Sequence, residues 1–107
     1  MTGRELLKLA AKAAGIQFSE LGGGARYAPQ PGIMQPYVYW NPLADDGDAL
    51  RLAVKCNLNV CIGYRSVSAC LQDDGSFHRT EETKDDPDAA ARRAIVRAAA
   101  EIGRNMK

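Results

Sequence analysis

The sequence predicts an α+β fold, an α/β/α-type sandwich in which three helices pack on an antiparallel sheet of three or four strands. Two observations carry this prediction. Apolar residues recur at three- and four-residue spacing in three segments, and they alternate with polar residues between the second and third of these. The 107 residues are expected to form one domain, 1–107, with a single hydrophobic core.

The first helix is predicted over about residues 3–14. Thr2 to Glu5 has the form of a capping box, in which the Thr2 hydroxyl and the Glu5 carboxylate satisfy backbone N–H groups at the helix start. Gly15 can adopt the left-handed conformation that ends a helix, so Ile16 is expected to fold back onto it. The predicted buried stripe contains Leu6, Leu7, Leu9, Ala10, Ala13 and Ala14.

A loop rich in glycine, proline and aromatic residues is predicted over about residues 16–36. Gly22 to Gly24 and three prolines prevent a regular helix here, and Tyr37 to Trp40 is expected to be a short edge strand. The candidate ligand- or partner-binding residues are Arg26, Tyr27, Tyr37, Tyr39 and Trp40. The same aromatic side chains could instead cap the core or lie in a dimer interface, because large aromatics dominate both.

The second helix is predicted over about residues 45–57. Asp45, Asp46 and Asp48 lie at its start, where carboxylates accept hydrogen bonds from backbone N–H groups and face the positive end of the helix dipole. The predicted buried face contains Leu43, Leu50, Ala53, Val54 and Cys56.

An antiparallel strand meander is predicted over about residues 58–82. Two apolar rows alternate with polar or small residues, which predicts one buried face of a sheet. The first row is Leu58, Val60, Ile62 and Tyr64, and the second is Val67, Ala69 and Leu71. Turns are expected near Arg65 and over Asp73 to Ser76, and Phe77 to Glu81 is expected to return as a third strand.

The third helix is predicted over about residues 87–104. Asp86 is a capping acceptor directly before Pro87, which suits the first position of a helix. The predicted apolar stripe contains Ala91, Ala94, Ile95, Ala98, Ile102 and Met106. The basic residues Arg92, Arg93, Arg97, Arg104 and Lys107 lie mainly on other faces.

The charge balance excludes strong electrostatic steering. Fourteen basic and thirteen acidic residues give a net charge of +1, so no global field directs the chain to nucleic acid or to a membrane. The sequence has no apolar run of about eighteen residues and no secretory signal pattern, so we expect no membrane association and a cytoplasmic location.

No residue group has the spacing of a catalytic or metal site. Cys56, Cys61, Cys70 and His78 lack the close cysteine pairs of structural zinc sites, and no further motif supports a cysteine nucleophile. The run Gly22 to Gly24 lacks the preceding strand, following helix and lysine of a P-loop. The sequence therefore predicts a non-enzymatic protein with no catalytic residues, no metal and no cofactor.

Four motifs occur in a distinctive order along the chain. They are Arg4-Glu5-Leu6-Leu7, Trp40-Asn41-Pro42, the helix start Asp45 to Leu50, and the alanine- and arginine-rich run Asp88 to Ala99. In this order they resemble small phage and prophage proteins of the phage ABA sandwich type. The resemblance covers nearly the whole chain, although the loop at 22–36 and the three cysteines depart from the pattern. It implies a phage-encoded accessory protein in a bacterial cytoplasm, with no catalytic residues to carry over.

Three functions are compatible with these features. The leading hypothesis is a non-enzymatic module that binds an unknown protein partner, or forms a homodimer, through a sheet edge or the aromatic loop. The alternative is a small-ligand binder, for example for a nucleotide, with Arg26 and the aromatic residues as its pocket. Nucleic-acid binding through Arg93 and Arg97 is the least favoured, because Glu101 interrupts that basic face.

Overall fold

A computed structural model describes residues 2–16, 25–27, 38–72, 74–83 and 86–106, with the backbone alone at 25–27, 38 and 39. The predicted α+β fold is confirmed, since three helices accompany a three-stranded antiparallel sheet in this part of the chain. The elements are α1 Gly3–Ala14, β1 Ala25–Tyr27, β2 Val38–Trp40, α2 Asp46–Lys55, β3 Leu58–Ile62, β4 Ser66–Leu71, β5 Arg79–Glu82 and α3 Pro87–Arg104.

The sheet is a meander in the order β3-β4-β5, with β4 in the centre. Val60 pairs with Ala69 across the first ladder, and Val67 pairs with Glu81 across the second. Strands β1 and β2 form a separate antiparallel ribbon in which Arg26 lies opposite Tyr39. The loop predicted over 16–36 thus contains a short strand, which pairs with the strand predicted at Tyr37 to Trp40.

Helix α3 lies between the sheet and α1. On one side, Ala94 and Ala98 pack against Val67 and Ala69 of β4. On the other side, α1 approaches so closely that a Cβ on Gly103 would lie 2.0 Å from the Leu9 carbonyl oxygen. The main core cluster lies among the three helices and contains most of the larger buried side chains, among them Leu7, Trp40, Leu52, Ile95 and Val96. The small residues of α3 therefore permit close packing on both sides.

The Thr2 and Asp86 caps and the Gly15 helix end form as their sequences predict. Thr2 Oγ1 accepts a hydrogen bond of 3.2 Å from the Glu5 amide, and Asp86 Oδ1 accepts one of 3.1 Å from the Ala89 amide. Gly15 takes the left-handed conformation, with φ at 72°. The Ile16 amide donates back to the Ala11 carbonyl, and Ile16 is buried.

The predicted buried face of α2 is wrong at two positions. Leu50 and Val54 are 65% and 72% exposed, whereas Ala49 and Leu52 are buried. The cause is Asp48, whose buried carboxylate accepts from the Asn41 amide at 2.9 Å. This bond holds Asp48 toward the core, and the face that continues from it contains Ala49, Leu52, Ala53 and Cys56.

Three further predictions need correction. Ile62 and Tyr64 belong to the predicted buried row but are 78% and 91% exposed, because they lie at the hairpin end of β3, beyond Leu58 and Val60, which pack on the core. The third strand begins at Arg79 rather than Phe77, since Phe77 has a positive φ of 58° that no strand accommodates. Met106, predicted in the buried stripe of α3, is exposed because the helix ends at Arg104.

Candidate protein interface at the sheet edge

Strand β3 directs half of its backbone hydrogen-bonding groups away from the sheet. The Gln72 amide donates to the Asn57 carbonyl at 2.9 Å, and the Gly63 amide donates to the Ser66 carbonyl at 2.8 Å. The backbone N–H and C=O groups of residues 57, 59, 61 and 63 therefore point toward β4, because hydrogen-bonded pairs alternate along an antiparallel ladder. The N–H and C=O groups of Leu58, Val60 and Ile62 point outward from the edge.

No described strand covers this edge, because β3 is the first strand of the β3-β4-β5 sheet. The side chains along it are uncharged from Cys56 to Tyr64. Ile62 and Tyr64, at the hairpin end, are the most exposed large apolar residues in the described part of the chain. An uncharged edge with unpaired backbone groups is a template for another strand.

The opposite edge, β5, has different chemistry. Its four residues are Arg79, Thr80, Glu81 and Glu82. Arg79 Nη2 lies 3.0 Å from Glu101 Oε1 of α3. Glu81 Oε1, in a side chain that is 14% exposed, lies 2.8 Å from Arg97 Nη1. These ion pairs fasten β5 to α3, and charge on an edge strand discourages pairing with another chain.

Glu81 also forms ion pairs with Arg93 and Arg97, the two arginines considered above for nucleic-acid binding. Arg93 Nε lies 3.6 Å from Glu81 Oε1, on the same carboxylate as Arg97, and Arg104 lies 3.7 Å from Glu101. The three arginines thus have acidic partners in the fold. This arrangement favours a role in packing over phosphate contacts.

A groove lies on the sheet face opposite α3, near the hairpin between β3 and β4. It has a volume of about 680 Å³ and is lined by Arg65, Ser66, Thr80, Glu82 and Thr83. The Thr83 amide donates to the Arg65 carbonyl at 3.0 Å and closes this end of the sheet. Because the groove carries both an arginine and a glutamate, its charge selects no single class of ion.

Of the five candidate binding residues that the sequence predicts, only Trp40 has its side chain in the described part of the chain. Trp40 is only 1% exposed and belongs to the main core cluster, so it is a core residue rather than a stacking platform. The backbone ribbon pairs Arg26 with Tyr39 and Tyr27 with Val38. The side chains of Arg26, Tyr27 and Tyr39, and all of Tyr37, lie outside the described residues.

The cysteines occupy two different environments, the core and the outer face of the sheet. Cys56 is buried, and burial raises the pKa of its thiol to about 11, partly offset by the nearby Lys55. Cys61 and Cys70 share the outer sheet face, where they lie opposite Ser68 and Asn59 respectively. In the part of the chain that the structure describes, no group of three or more His, Cys, Asp or Glu side chains is arranged to hold a metal ion.

The candidate interface corresponds to a contrast in charge between two segments of the sequence. Nine consecutive residues, Cys56 to Tyr64, carry no charge, whereas the strand Arg79–Glu82 carries three charged residues. The alternation of Leu58, Val60 and Ile62 predicts that the whole row lies on one buried face. Alternation identifies a face of a strand but does not say where along the strand the core ends.

Comparisons with protein families, with curated proteins and with solved structures found no match for this chain. Among the described residues, no helix is both long and apolar enough to span a membrane.

Proposed function

We propose that the chain is a phage- or prophage-encoded accessory protein that acts without catalysis, by binding another protein along the β3 edge. The observation that supports this function best is the outward backbone of Leu58, Val60 and Ile62 on an uncharged edge. A partner strand can pair with these groups, and the exposed Ile62 side chain adds apolar area. The phage origin rests on the resemblance of the four sequence motifs.

The structure favours strand addition over docking on a helix. Leu50 and Val54 are exposed one turn apart on α2, but two aliphatic side chains make a small apolar area for a stable complex. The β3 edge adds directional hydrogen bonds to its apolar contacts. Edge pairing therefore supplies both affinity and register.

A photo-crosslinking experiment tests this function. The photoreactive residue p-benzoylphenylalanine is placed at Ile62 of β3 or, as a matched control on the other edge strand, at the exposed Thr80 of β5. Illumination in a bacterial host is expected to give a protein adduct from position 62 and none from position 80. Equal adducts from both positions, or no protein adduct from position 62, would contradict the proposal.

The small-ligand alternative was predicted for Arg26 and the aromatic residues, whose side chains, apart from that of Trp40, lie outside the described residues. In the described part of the chain, the groove near Arg65 and Glu82 is a different place where a small ligand could bind. Native mass spectrometry of the purified protein, before and after mild denaturation, separates small-ligand binding from strand binding. A small mass lost on denaturation supports a ligand function. Protein binding is the better supported function because the β3 edge has outward backbone groups on an uncharged strand, whereas the opposite charges of Arg65 and Glu82 indicate no single class of ligand.

A further inference from the structure

We propose that the occupant of the β3 edge is β3 of a second copy of this chain, an inference that rests on the proposed protein-binding function. The two strands run antiparallel across a two-fold axis at Val60, and they join two three-stranded sheets into one of six strands. Leu58 then lies opposite Ile62 of the second copy. Val60 lies opposite its own equivalent.

The backbone selects this register. Only even-numbered residues of β3 direct N–H and C=O groups outward, so an even-numbered residue must face another even-numbered one. With the axis at Val60, the outward groups of Leu58, Val60 and Ile62 all find partners. Moving the axis to Asn59 or Cys61 shifts the strands by two residues and leaves one end of each strand outside the ladder.

The side chains fit the same register. Apolar residues meet on the face that carries the core, where Leu58, Val60 and Ile62 lie in one row. Asn59 meets Cys61 of the second copy on the outer face, where both residues are exposed. The pairing thus covers Ile62 with apolar side chains, and β3 has no charged residue to oppose itself.

The other self-pairings are disfavoured. If the β5 strands of two copies pair, the outward backbone groups require Thr80 of one copy to lie opposite Glu82 of the other. The two Glu81 residues then lie opposite each other, and their like charges repel. Pairing β3 with β5 of another copy leaves an open edge at each end and continues into a filament. Pairing β3 with β3 closes after two copies and leaves the charged β5 strands as the outer edges.

The first test is the mass of the protein in solution, measured by sedimentation velocity over a range of concentrations. We expect the species to shift from 11.6 kDa toward twice that mass as the concentration rises. Val60→Pro removes an outward N–H while sparing the ladder to β4, because proline is tolerated where the N–H faces away from the sheet. Two hydrogen bonds are lost at the axis, so the dimer dissociation constant should rise roughly tenfold or more.

A second disruptive variant and two controls protect this test from a folding defect. Thr80→Pro removes the equivalent outward N–H on β5 and should leave the dimer intact. Ile62→Lys places a charge at an exposed position, so it should abolish the dimer while the monomer remains folded. Val54→Lys changes a similarly exposed residue on α2 and should leave the dimer intact.

Disulfide cross-linking tests the register itself. In Asn59→Cys, the new thiol faces Cys61 of the second copy in a non-hydrogen-bonded pair, where Cα separations of about 4.5 Å fall in the disulfide range. Added diamide accepts two electrons and two protons as the two thiols join. Cys70 lies opposite position 59 within the same sheet, so both variants also carry Cys70→Ser to prevent an intramolecular disulfide. We expect a covalent dimer from Asn59→Cys with Cys70→Ser, and none when Cys61→Ser is added to that pair.

Three results would overturn the inference. They are a monomer at every concentration, equal dimer stability in Val60→Pro and Thr80→Pro, and efficient cross-linking of the unmodified chain through two Cys61 thiols, which places the axis elsewhere. If the protein is monomeric and position 62 still cross-links to a different protein, the edge-binding function stands and the self-pairing fails. If position 62 gives no adduct at all, both fail.

Discussion

The two edges of the sheet share the central strand β4 but are built in opposite ways. Strand β5 is short and charged, and its Arg79 and Glu81 side chains form ion pairs with α3. Strand β3 is uncharged, directs the backbone of three residues outward and ends at the exposed Ile62. Since charge on an edge strand is a common protection against association, its absence from β3 alone supports the proposal that a partner pairs with this edge.

The difference arises from how each strand is attached to the helices. Arg93 and Arg97 stand one turn apart on α3 and converge on one Glu81 carboxylate. Strand β3 follows α2 after a tight connection, in which Asn57 has a positive φ of 56°, and only Leu58 and Val60 pack on the core. The hairpin end of β3 is therefore left without a covering helix in the described part of the chain.

The largest expected effect is unfolding of the whole domain, which destroys both edges of the sheet. Ile95→Asp places a carboxylate in the core cluster between the helices, at a cost of several kcal/mol. We expect cooperative unfolding, seen as loss of the thermal transition in circular dichroism. Val54→Asp, at an exposed position of α2, should remain folded. A wild-type melting temperature for Ile95→Asp would show that the buried face of α3 is wrongly assigned.

A smaller effect should loosen β5 and leave β3 unchanged. Glu81→Gln removes the charge that faces Arg93 and Arg97, and because both arginines are about half exposed, the loss of stability should be about 1 kcal/mol. Hydrogen exchange is expected to accelerate at the Arg79 and Glu81 amides, which face β4. Arg104→Gln, which alters an exposed pair, serves as the control. Equal acceleration in β3 would mean that the two edges are not independent.

The smallest expected effect is a local loss of stability at low pH, in the turn that contains Asp74. Hydrogen bonds from Ser76 lower the pKa of Asp74 in the turn before β5, and the Ser76 amide lies 2.9 Å from Asp74 Oδ1. Because the fold favours the charged carboxylate, this stabilisation is present above the usual Asp pKa and is lost as pH falls through the lowered value. The Ser76 amide proton should then shift upfield in NMR spectra.

The hairpin between β3 and β4 provides the control for that titration. The Gly63 amide donates to a backbone carbonyl, that of Ser66, so its shift should not follow the titration of Asp74. Asp74→Asn should remove the step at Ser76. A step of the same size at Gly63 would indicate a general loss of structure rather than a local change in one turn.

Features fixed by nearby residues could be predicted from the sequence. The Thr2 and Asp86 caps and the Gly15 helix end depend on side chains within a few positions of the helix end. The buried face of α2 could not be predicted in the same way. Its orientation depends on the bond from the Asn41 amide to Asp48, and an acidic residue at a helix start is usually exposed.

The candidate site shows the same limit. An aromatic residue near a glycine-rich loop suits a pocket and a core equally well, and packing against α1, α2 and α3 places Trp40 in the core. The uncharged run around β3 is visible in the sequence, but its meaning depends on the strand order. Only the position of β3 at the edge of the sheet makes this apolar strand a candidate binding surface.

Amide hydrogen exchange, followed by NMR as a function of protein concentration, tests most directly whether the β3 edge is the one that pairs. The amides of Leu58, Val60 and Ile62 point outward on one edge, and the amide of Thr80 points outward on the other. We predict that protection of the three β3 amides rises with concentration while the Thr80 amide stays unprotected. Protection that does not depend on concentration at β3, or that rises at Thr80 instead, would contradict the account.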